Sequence, residues 1–368
     1  MAEAEPGALL KAAVAAHQDG RPEAAIPLYE AALAQFPDAP ARHATGLWLA
    51  AALCDADRRA EALEVCRAAV ACDPEDPAGF SLLAGIALDL GRLDEARMAA
   101  DAALRRYPDD TGVLDLATGI ALARGEAEAA AAHAAASLAR DPANQRALAH
   151  RIVALAQRQE DAELAELLDF DRLLRVATVA PPPGFASIDA FNAALSAALA
   201  ARPDLDRRHI GKTMVGGARL HDSFGLEPRL AGALRGLFRR EAQAYAEALA
   251  VAPHHPVRRG RPAEPWTEVS WANITAQAEF ELPHIHDGSW LGAVYYAEMP
   301  EPDGEAGAIE FGGHDFAHPG FSAGPTRRIL PTPGTMVLFP AYFYHRTLPF
   351  TGTGRRISIA YDVRRLAR

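Results

Sequence analysis

The sequence has few cysteines and no long hydrophobic run, and both absences limit what the protein can be. Its three cysteines all lie in one early segment, at Cys54, Cys66 and Cys72. An odd number without ligand spacing predicts buried thiols in a reducing compartment, and neither a disulfide framework nor a zinc site. No stretch of about 18 apolar residues is free of charge, as a membrane-spanning helix would require. We therefore expect no membrane partner.

An excess of positive charge is also missing. The chain carries 37 Lys and Arg against 48 Asp and Glu, which gives a formal net charge of −11. Proteins that bind the phosphate backbone of nucleic acids usually present a basic stripe, and this sequence has none. The first residues are acidic where a signal peptide has a basic start. These features predict a cytoplasmic protein that does not bind nucleic acid.

The first half of the sequence contains an internal repeat. Prolines that follow apolar helical stretches recur at intervals of 37, 34 and 34 residues, at Pro37, Pro74, Pro108 and Pro142. A small residue stands five and again twelve residues before each proline, where paired helices could approach closely. A period of about 34 residues with these features is typical of tetratricopeptide repeats, although an alanine-rich bundle is the alternative. We predict a repeat array with capping helices over residues 1–174, whose concave surface holds a peptide or protein.

The texture of the sequence changes near the middle. After Leu174 the helical periodicity stops, and three prolines and a glycine follow within VATVAPPPGFASID. We predict a domain boundary there, with a second domain over residues 175–368 that begins with helices. After Pro265, apolar and polar residues alternate in short segments separated by Gly and Pro. This pattern predicts a β-sandwich or a jelly-roll barrel.

Three histidines and an arginine in the second domain have the spacing of a metal site. His284 and His286 lie two residues apart, so a strand places both side chains on one face. His345 ends an aromatic strand, and Arg356 follows eleven residues later with Ser358. An iron(II) oxygenase holds its metal on one face with three protein groups, leaving the other positions for a 2-oxo acid and dioxygen. A buried arginine would bind the far carboxylate of that acid through two hydrogen bonds.

Residues from about Pro182 to Arg368 resemble the 2-oxoglutarate and iron(II) oxygenase family found in bacteria, often behind tetratricopeptide repeats. The resemblance is carried by Trp271, Asn273, PHIH, LGAVYY, Gly307 with IEFGG, Pro333-Gly334 before VLFP, His345 and Arg356-Ile357-Ser358. The layout is also similar to the aspartyl/asparaginyl β-hydroxylases and the prolyl hydroxylase-like oxygenases. The resemblance implies a double-stranded β-helix, that is, a cupin-like jelly roll, which uses iron(II), 2-oxoglutarate and dioxygen, with ascorbate as a reductant.

The resemblance also implies roles for individual residues. His284 and His345 match the iron ligands, and Arg356 matches the 2-oxoglutarate anchor, which Ser358 would assist. Asn273 and Tyr295 would line the cosubstrate pocket; they lie eleven residues to either side of the first histidine.

The third ligand is the point where this sequence departs from the common His-x-Asp/Glu motif. Position 286 is histidine, and Asp287 comes one residue later. We predict that His286 is the third ligand, ahead of Asp287, which would face the opposite side of a strand unless a bulge turned it inwards. Water or chloride in the carboxylate position is the remaining alternative. Gly292-Ala293 also replaces the Ser-Gly that the family usually has before its Val-Tyr-Tyr strand.

These features predict a hydroxylase that oxidises a side chain of a peptide or protein recruited by the repeats. The predicted catalytic centre is His284, His286 and His345. One alternative is a binding protein with a silent or structural metal barrel, and another is a three-histidine, cupin-type dioxygenase without 2-oxoglutarate. Halogenation is a further possibility, because a missing carboxylate ligand leaves room for chloride. The retention of Arg356 and Ser358 favours the 2-oxoglutarate enzyme.

Overall fold

The computed structural model of the protein describes residues 5–207, 213–301, 304–314, 316, 318, 321–322 and 324–365. The chain packs as two compact units, Met1–Arg140 and Asp141–Arg368. None of the described helices combines the length and the hydropathy of a membrane-spanning segment.

The first unit is a series of helix pairs joined by short turns. Its helices are α1 (Pro6–Gln18), α2 (Pro22–Gln35), α3 (Ala39–Asp55), α4 (Arg59–Cys72), α5 (Pro77–Asp89), α6 (Leu93–Arg106), α7 (Thr111–Ala123) and α8 (Ala127–Arg140). Aspartates cap three of the helices that open a pair, because the carboxylates of Asp38, Asp76 and Asp110 accept hydrogen bonds from backbone N–H groups in the first turn.

The small residues at the predicted repeat positions are buried where the helices of this unit pack together. The alanines twelve residues before each proline are fully buried, namely Ala25, Ala62, Ala96 and Ala130. The turn between the helices of a pair requires a left-handed residue, which Gly20, Gly91 and Gly125 provide with φ of 71°, 68° and 77°. Asp57 takes the same conformation at φ 60° in the second pair. The predicted repeat architecture is confirmed.

The second unit opens with three helices that precede its strands. They are α9 (Gln145–Arg158), α10 (Asp161–Leu167) and α11 (Phe170–Leu173). The hydroxyl of Tyr342 donates to the carbonyl of Leu167 at 2.8 Å, and the hydroxyl of Tyr245 donates to the carbonyl of Leu173 at 3.0 Å. Phe170 meets Phe343 edge to face. The division by packing therefore lies before these helices, whereas the domain boundary predicted near residue 175 lies after them.

Antiparallel sheets form the body of the second unit. The strands are β1 (Arg175–Thr178), β2 (Met214–Val215), β3 (Ala218–Leu220), β4 (Glu268–Thr275), β5 (Phe280–Glu281), β6 (Ser289–Glu298), β7 (Ile309–Phe311), β8 (Arg327–Ile329), β9 (Thr335–Pro340), β10 (His345–Thr347) and β11 (Arg356–Arg364). Among the described residues they form a six-stranded sheet in the order β1-β9-β6-β11-β4-β3, a three-stranded sheet β10-β7-β8 and a pair β2-β5.

Helices cover one face of the six-stranded sheet, and the smaller sheet faces the other. The helices are α12 (Ile188–Ala200) and α13 (Pro228–Ala248), while α14 (Pro256–Arg259) lies in the connection to β4. Tyr361 of β11 stacks on Phe238 of α13 with 4.6 Å between the ring centroids. On the inner face, Phe339 of β9 meets Phe311 of β7 at 5.0 Å. Two facing antiparallel sheets with flanking helices confirm the predicted jelly-roll domain.

Candidate metal centre

Three histidines converge between the two sheets. His284 and His345 form an isolated β-bridge, with reciprocal backbone N–H to carbonyl hydrogen bonds of 3.0 Å. His286 follows two residues after the first, and its ring centroid lies 4.9 Å from that of His345. One potential ligand atom from each of the three lies within 4.8 Å of the others. The two close histidines and the distant one are thus brought together as the sequence predicted, although their binding of iron remains a prediction.

Hydrogen bonds fix the same tautomer on all three rings. The Nδ1 atom of His284 lies 2.8 Å from the carbonyl oxygen of Leu282, and that of His345 lies 3.0 Å from the carbonyl oxygen of Phe343. The Nδ1 atom of His286 lies 2.6 Å from a carboxylate oxygen of Asp362. Because these oxygens only accept hydrogen bonds, Nδ1 carries the proton in each neutral ring and Nε2 keeps its lone pair. Three Nε2 lone pairs are what a divalent metal needs.

Burial holds two of the rings in the neutral form that metals bind. Burial lowers the pKa of His284, and burial together with the two neighbouring histidines lowers the pKa of His345 well below its usual range. Burial acts on His286 in the same direction, but the charge and hydrogen bond of Asp362 outweigh it and raise the pKa of this ring. The environment of His286 therefore differs in kind from that of its two partners.

The structure brings His286 into the cluster and leaves Asp287 outside it. The side chain of Asp287 is exposed and forms an ion pair with Arg146 of α9. The two residues lie in the connection between β5 and β6, outside any strand, and their side chains point to different sides of it. Among the described residues, the cluster is therefore entirely histidine.

A cavity adjoins the histidines on the inner face of the large sheet. Its lining comprises the three histidines together with Trp271, Asn273, Glu281, Val294, Tyr296, Ile309, Thr347, Ser358 and Ala360. Ser358 lies opposite Asn273 on β4 and Tyr296 on β6, so three neighbouring strands contribute to one wall. The hydroxyl of Tyr296 and the indole N–H of Trp271 have no hydrogen-bond partner among the described residues. Unpaired buried donors cost about 1–3 kcal/mol each, so this wall suits a polar ligand.

Arg356 is a buried cation beside this cavity. Its side chain is 1% exposed, and Nη2 donates to the hydroxyl of Thr347 at 2.9 Å. No carboxylate lies within ion-pair distance of it in the part of the chain that the structure describes. Burial lowers the pKa of its guanidinium, which shows that the charge is poorly solvated. A buried guanidinium without a counter-ion favours the arrival of an anion.

The structure places Tyr295, for which the sequence predicted a pocket role, away from the cavity beside the histidines. This side chain points to the outer face of β6, where its hydroxyl donates to the amide oxygen of Asn192 at 2.5 Å and its ring contacts Phe191. Its neighbour Tyr296 occupies the cavity wall instead. The strand is buried on both faces, so the sequence shows no alternation that would tell the two tyrosines apart.

Asn273 lines the cavity, and both polar atoms of its amide have protein partners. Its Oδ1 accepts from Nε of Arg219 at 2.8 Å, and its Nδ2 donates to a carboxylate oxygen of Glu281 at 3.0 Å. Arg219 also reaches that same oxygen at 3.2 Å. Sequence reasoning missed Arg219 and Glu281, because both lie on two- or three-residue strands that carry no periodic signal.

Asp362 is a second residue that sequence reasoning missed. It is 2% exposed and lies on β11 at the same alternation as Arg356, Ser358 and Ala360. Its other carboxylate oxygen accepts from the hydroxyl of Ser289 at 2.7 Å. Counting forwards from Arg356 in steps of two residues would have placed Asp362 on the inner face of β11.

Comparison with known proteins supports this description of the two units. Residues 269–362, which include the cavity strands and the three histidines, match the family described as "Putative 2OG-Fe(II) oxygenase". Residues 16–86 match a tetratricopeptide repeat family. No curated protein sequence matches the chain.

Several solved structures resemble parts of the chain. The crystal structure of MamA is 16% identical and covers 43% of this chain and 90% of its own, with a TM-score of 0.40. A prolyl-4-hydroxylase from Pseudomonas putida is 17% identical and covers 55% of this chain and 98% of its own, with a TM-score of 0.37. YrrB, described as a TPR protein with an unusual peptide-binding site, is 19% identical and covers 44% and 84%, with a TM-score of 0.39. The chain thus combines a segment that matches tetratricopeptide repeats with a segment that matches the 2-oxoglutarate and iron(II) oxygenases.

Proposed function

We propose that the protein is an iron(II)- and 2-oxoglutarate-dependent dioxygenase that hydroxylates a side chain of a peptide or protein. One observation carries the proposal: three histidines with free Nε2 lone pairs line a cavity together with Thr347, whose hydroxyl accepts a hydrogen bond from the buried Arg356. Among the described residues, no carboxylate lies within ion-pair distance of that arginine. A divalent metal needs the histidine cluster, and an anionic cosubstrate needs the arginine. Neither feature is needed to hold a jelly roll together.

The three histidines have one task in this proposal. His284, His286 and His345 would hold iron(II) through Nε2, and a metal with three protein ligands would keep positions for 2-oxoglutarate and dioxygen. Bound iron supplies the activation of dioxygen, which converts 2-oxoglutarate to succinate and carbon dioxide and places one oxygen atom on the substrate. Ascorbate would serve only to keep the iron divalent.

Arg356 anchors the far carboxylate of 2-oxoglutarate. A guanidinium donates two parallel hydrogen bonds to a carboxylate, which fixes its orientation as well as its charge. The hydroxyls of Tyr296 and Ser358 line the same cavity and can donate to the same ligand. Bringing the anion to the arginine also compensates a charge that is otherwise buried alone.

The repeat unit supports the choice of a peptide or protein substrate. Stacked helical repeats form extended surfaces that hold peptides. The first unit has an open groove with a mixed apolar and charged lining, which includes Leu33, Phe36, Leu49, Val65, Glu30, Arg42 and Glu64. Hydroxylation is tested by incubating the loaded enzyme with a peptide library and searching for peptides that gain one oxygen atom as succinate forms.

A second candidate is a three-histidine dioxygenase that does not use 2-oxoglutarate. The absence of a carboxylate from the described histidine cluster favours it. The unpaired Arg356 favours the first candidate, because a cosubstrate without a far carboxylate would leave that charge uncompensated.

Anaerobic titration of the iron(II)-loaded protein with 2-oxoglutarate separates the candidates. We expect a weak visible charge-transfer band from the chelated 2-oxo acid. Arg356→Ala should retain iron but raise the dissociation constant for 2-oxoglutarate about 30-fold or more, because loss of one partner of a buried charge pair costs about 2–5 kcal/mol. His345→Ala should lose iron.

The neighbouring Arg355→Ala is the matched control. Arg355 is partly exposed and pairs with Glu298 at 3.0 Å, so its loss should leave the band unchanged. Iron binding without a band would favour the three-histidine dioxygenase. No iron binding at all would favour a repeat-based binding protein with a silent barrel.

A further inference from the structure

The three histidines of the cluster differ in what holds their Nδ1 protons. His284 and His345 donate to backbone carbonyl oxygens, which are neutral. His286 donates to Asp362, a buried carboxylate at 2.6 Å. A carboxylate behind a ligand histidine orients the ring and makes Nε2 more basic, whereas a carbonyl does so less. One of the three rings therefore has a charged partner.

The carboxylate of Asp362 is buried and has two hydrogen-bond partners. One of its oxygens accepts a hydrogen bond from Nδ1 of His286, and the other accepts a hydrogen bond from the hydroxyl of Ser289 at 2.7 Å. Among the described residues, no lysine or arginine lies within ion-pair distance of it. The negative charge of Asp362 therefore acts on His286 and is not compensated by a surface ion pair.

The strand beside it leaves room for this arrangement. Asp362 lies opposite Gly292 in the register of β11 and β6. A Cβ atom at Gly292 would come within 3.1 Å of Nδ1 of His286 and within 2.7 Å of the Phe339 ring. The glycine therefore allows the imidazole and the carboxylate to meet at hydrogen-bond distance.

We propose that Asp362 is a positioning residue that supplies, through His286, the negative charge that a His-x-Asp/Glu site places directly on its metal. The imidazole of His286 would stand between this carboxylate and the metal. This inference rests on the proposed metal site of three histidines. It explains how an all-histidine cluster can hold a divalent cation without a ligand carboxylate.

Cobalt(II) titration of the full chain tests the inference without any need for activity. We expect Asp362→Asn, which keeps the shape of the side chain and removes its charge, to weaken cobalt binding about 10–100-fold. The visible cobalt bands should also shift, because the ligand strength of one imidazole changes. Asp287→Asn is the matched control: it removes an exposed carboxylate one residue from the same histidine, and the affinity should not change.

A double-mutant cycle separates positioning from a merely structural role. In a His286→Ala background, Asp362→Asn should cause no further loss of cobalt affinity, because the charge no longer reaches the metal. Losses that simply add would overturn the inference, as would an Asp362→Asn variant that binds cobalt like the parent with unchanged bands. Failure of the parent chain itself to bind cobalt would instead overturn the proposed metal site.

A measurement on the unaltered protein keeps the test open even if the Asp362→Asn variant folds poorly. In the zinc-loaded chain, the imidazole N–H proton of His286 should resonate downfield of those of His284 and His345, because a short charge-assisted hydrogen bond deshields its proton. Equal shifts for the three protons would contradict the proposal.

Discussion

Two adjacent tyrosines show how one residue decides what a strand presents to the site. Tyr295 and Tyr296 are both buried in β6, but their hydroxyls end in different places. The first donates to Asn192 on the helical side, while the second reaches the cavity and has no partner among the described residues. The same chemical group is structural at one position and available to a ligand at the next.

Removing the hydroxyls of Tyr295 and Tyr296 one at a time should affect different properties, namely stability and cosubstrate affinity. Tyr296→Phe should weaken 2-oxoglutarate binding about 10–100-fold, because one hydrogen bond to a charged group is lost at about 1.5–3 kcal/mol. Its melting temperature should not fall, since the lost hydroxyl has no protein partner in the described chain. The measurement is the anaerobic 2-oxoglutarate titration together with thermal unfolding.

Tyr295→Phe is the paired variant. It should lower the free energy of unfolding by about 1–2 kcal/mol through the lost bond to Asn192, and it should leave the cosubstrate affinity unchanged. If instead Tyr295→Phe were the variant that lost 2-oxoglutarate, the assignment of faces on β6 would be wrong.

At this scale, spacing alone could predict the histidines and the arginine. His284 and His286 lie two residues apart before a predicted strand, and Arg356 begins the last strand eleven residues after His345. Glu281 and Arg219 could not be found in this way, because they meet through strands of two and three residues with no pattern of their own. The face of Tyr295 could not be predicted either, since both faces of its strand are buried.

Among the elements, β6 has a tightly constrained inner face. Gly292 faces Phe339 and the ring of His286, and an added Cβ atom would meet the Phe339 ring at 2.7 Å. Gly292→Ala should therefore displace the ring of His286 and destabilise the domain by about 1–3 kcal/mol, the usual cost of overpacking a core. Cobalt affinity should fall in the same variant.

A glycine in α13 provides the control for that substitution. Nothing lies within 4 Å of a Cβ atom placed at Gly236. Gly236→Ala should stabilise the helix by about 0.5–1 kcal/mol and leave cobalt affinity unchanged. Thermal unfolding and cobalt titration of the two variants check both statements; equal behaviour would show that the space around Gly292 is not limiting.

The long elements are the ones that the sequence could predict. The helix pairs repeat their small residues at fixed intervals. The buried alanines at those positions let the two helices of a pair pack closely. The strands that build the cavity obtain their partners from residues far away in the chain, such as β4 and β11, which are separated by more than 80 residues. Local pattern indicates that such strands exist, but their order depends on packing that the pattern does not contain.

At the scale of the whole molecule, the second compact unit begins before the domain boundary that the sequence predicted. The helices α9 to α11 precede the predicted boundary near residue 175. Backbone carbonyl groups of these helices nevertheless accept hydrogen bonds from the hydroxyls of Tyr342 and Tyr245. They also bury Leu167 and Leu173. The rest of the second unit therefore packs against helices that the sequence assigned to the repeats.

Two truncated chains test whether the second unit depends on these helices. A fragment of residues 141–368 should unfold cooperatively and bind cobalt like the full chain. A fragment of residues 175–368 should lose several kcal/mol, because two buried hydroxyls lose their partners at about 1–3 kcal/mol each and apolar surface becomes exposed. Typical domains have only about 5–15 kcal/mol to lose. Circular dichroism melts of both fragments provide the measurement, and equal stability would support a boundary near residue 175.

The backbone bridge between His284 and His345 has a consequence for metal selectivity. Because the two residues exchange backbone hydrogen bonds, two of the three imidazoles are in place before any metal arrives. A preformed site of neutral imidazoles suits zinc, copper and nickel as well as iron, and the Irving–Williams order ranks iron(II) below all three. Under the proposed iron site, the bound metal would therefore depend on supply within the cell. Protein produced in abundance should carry another of these ions and should bind iron(II) only after chelation and anaerobic reloading.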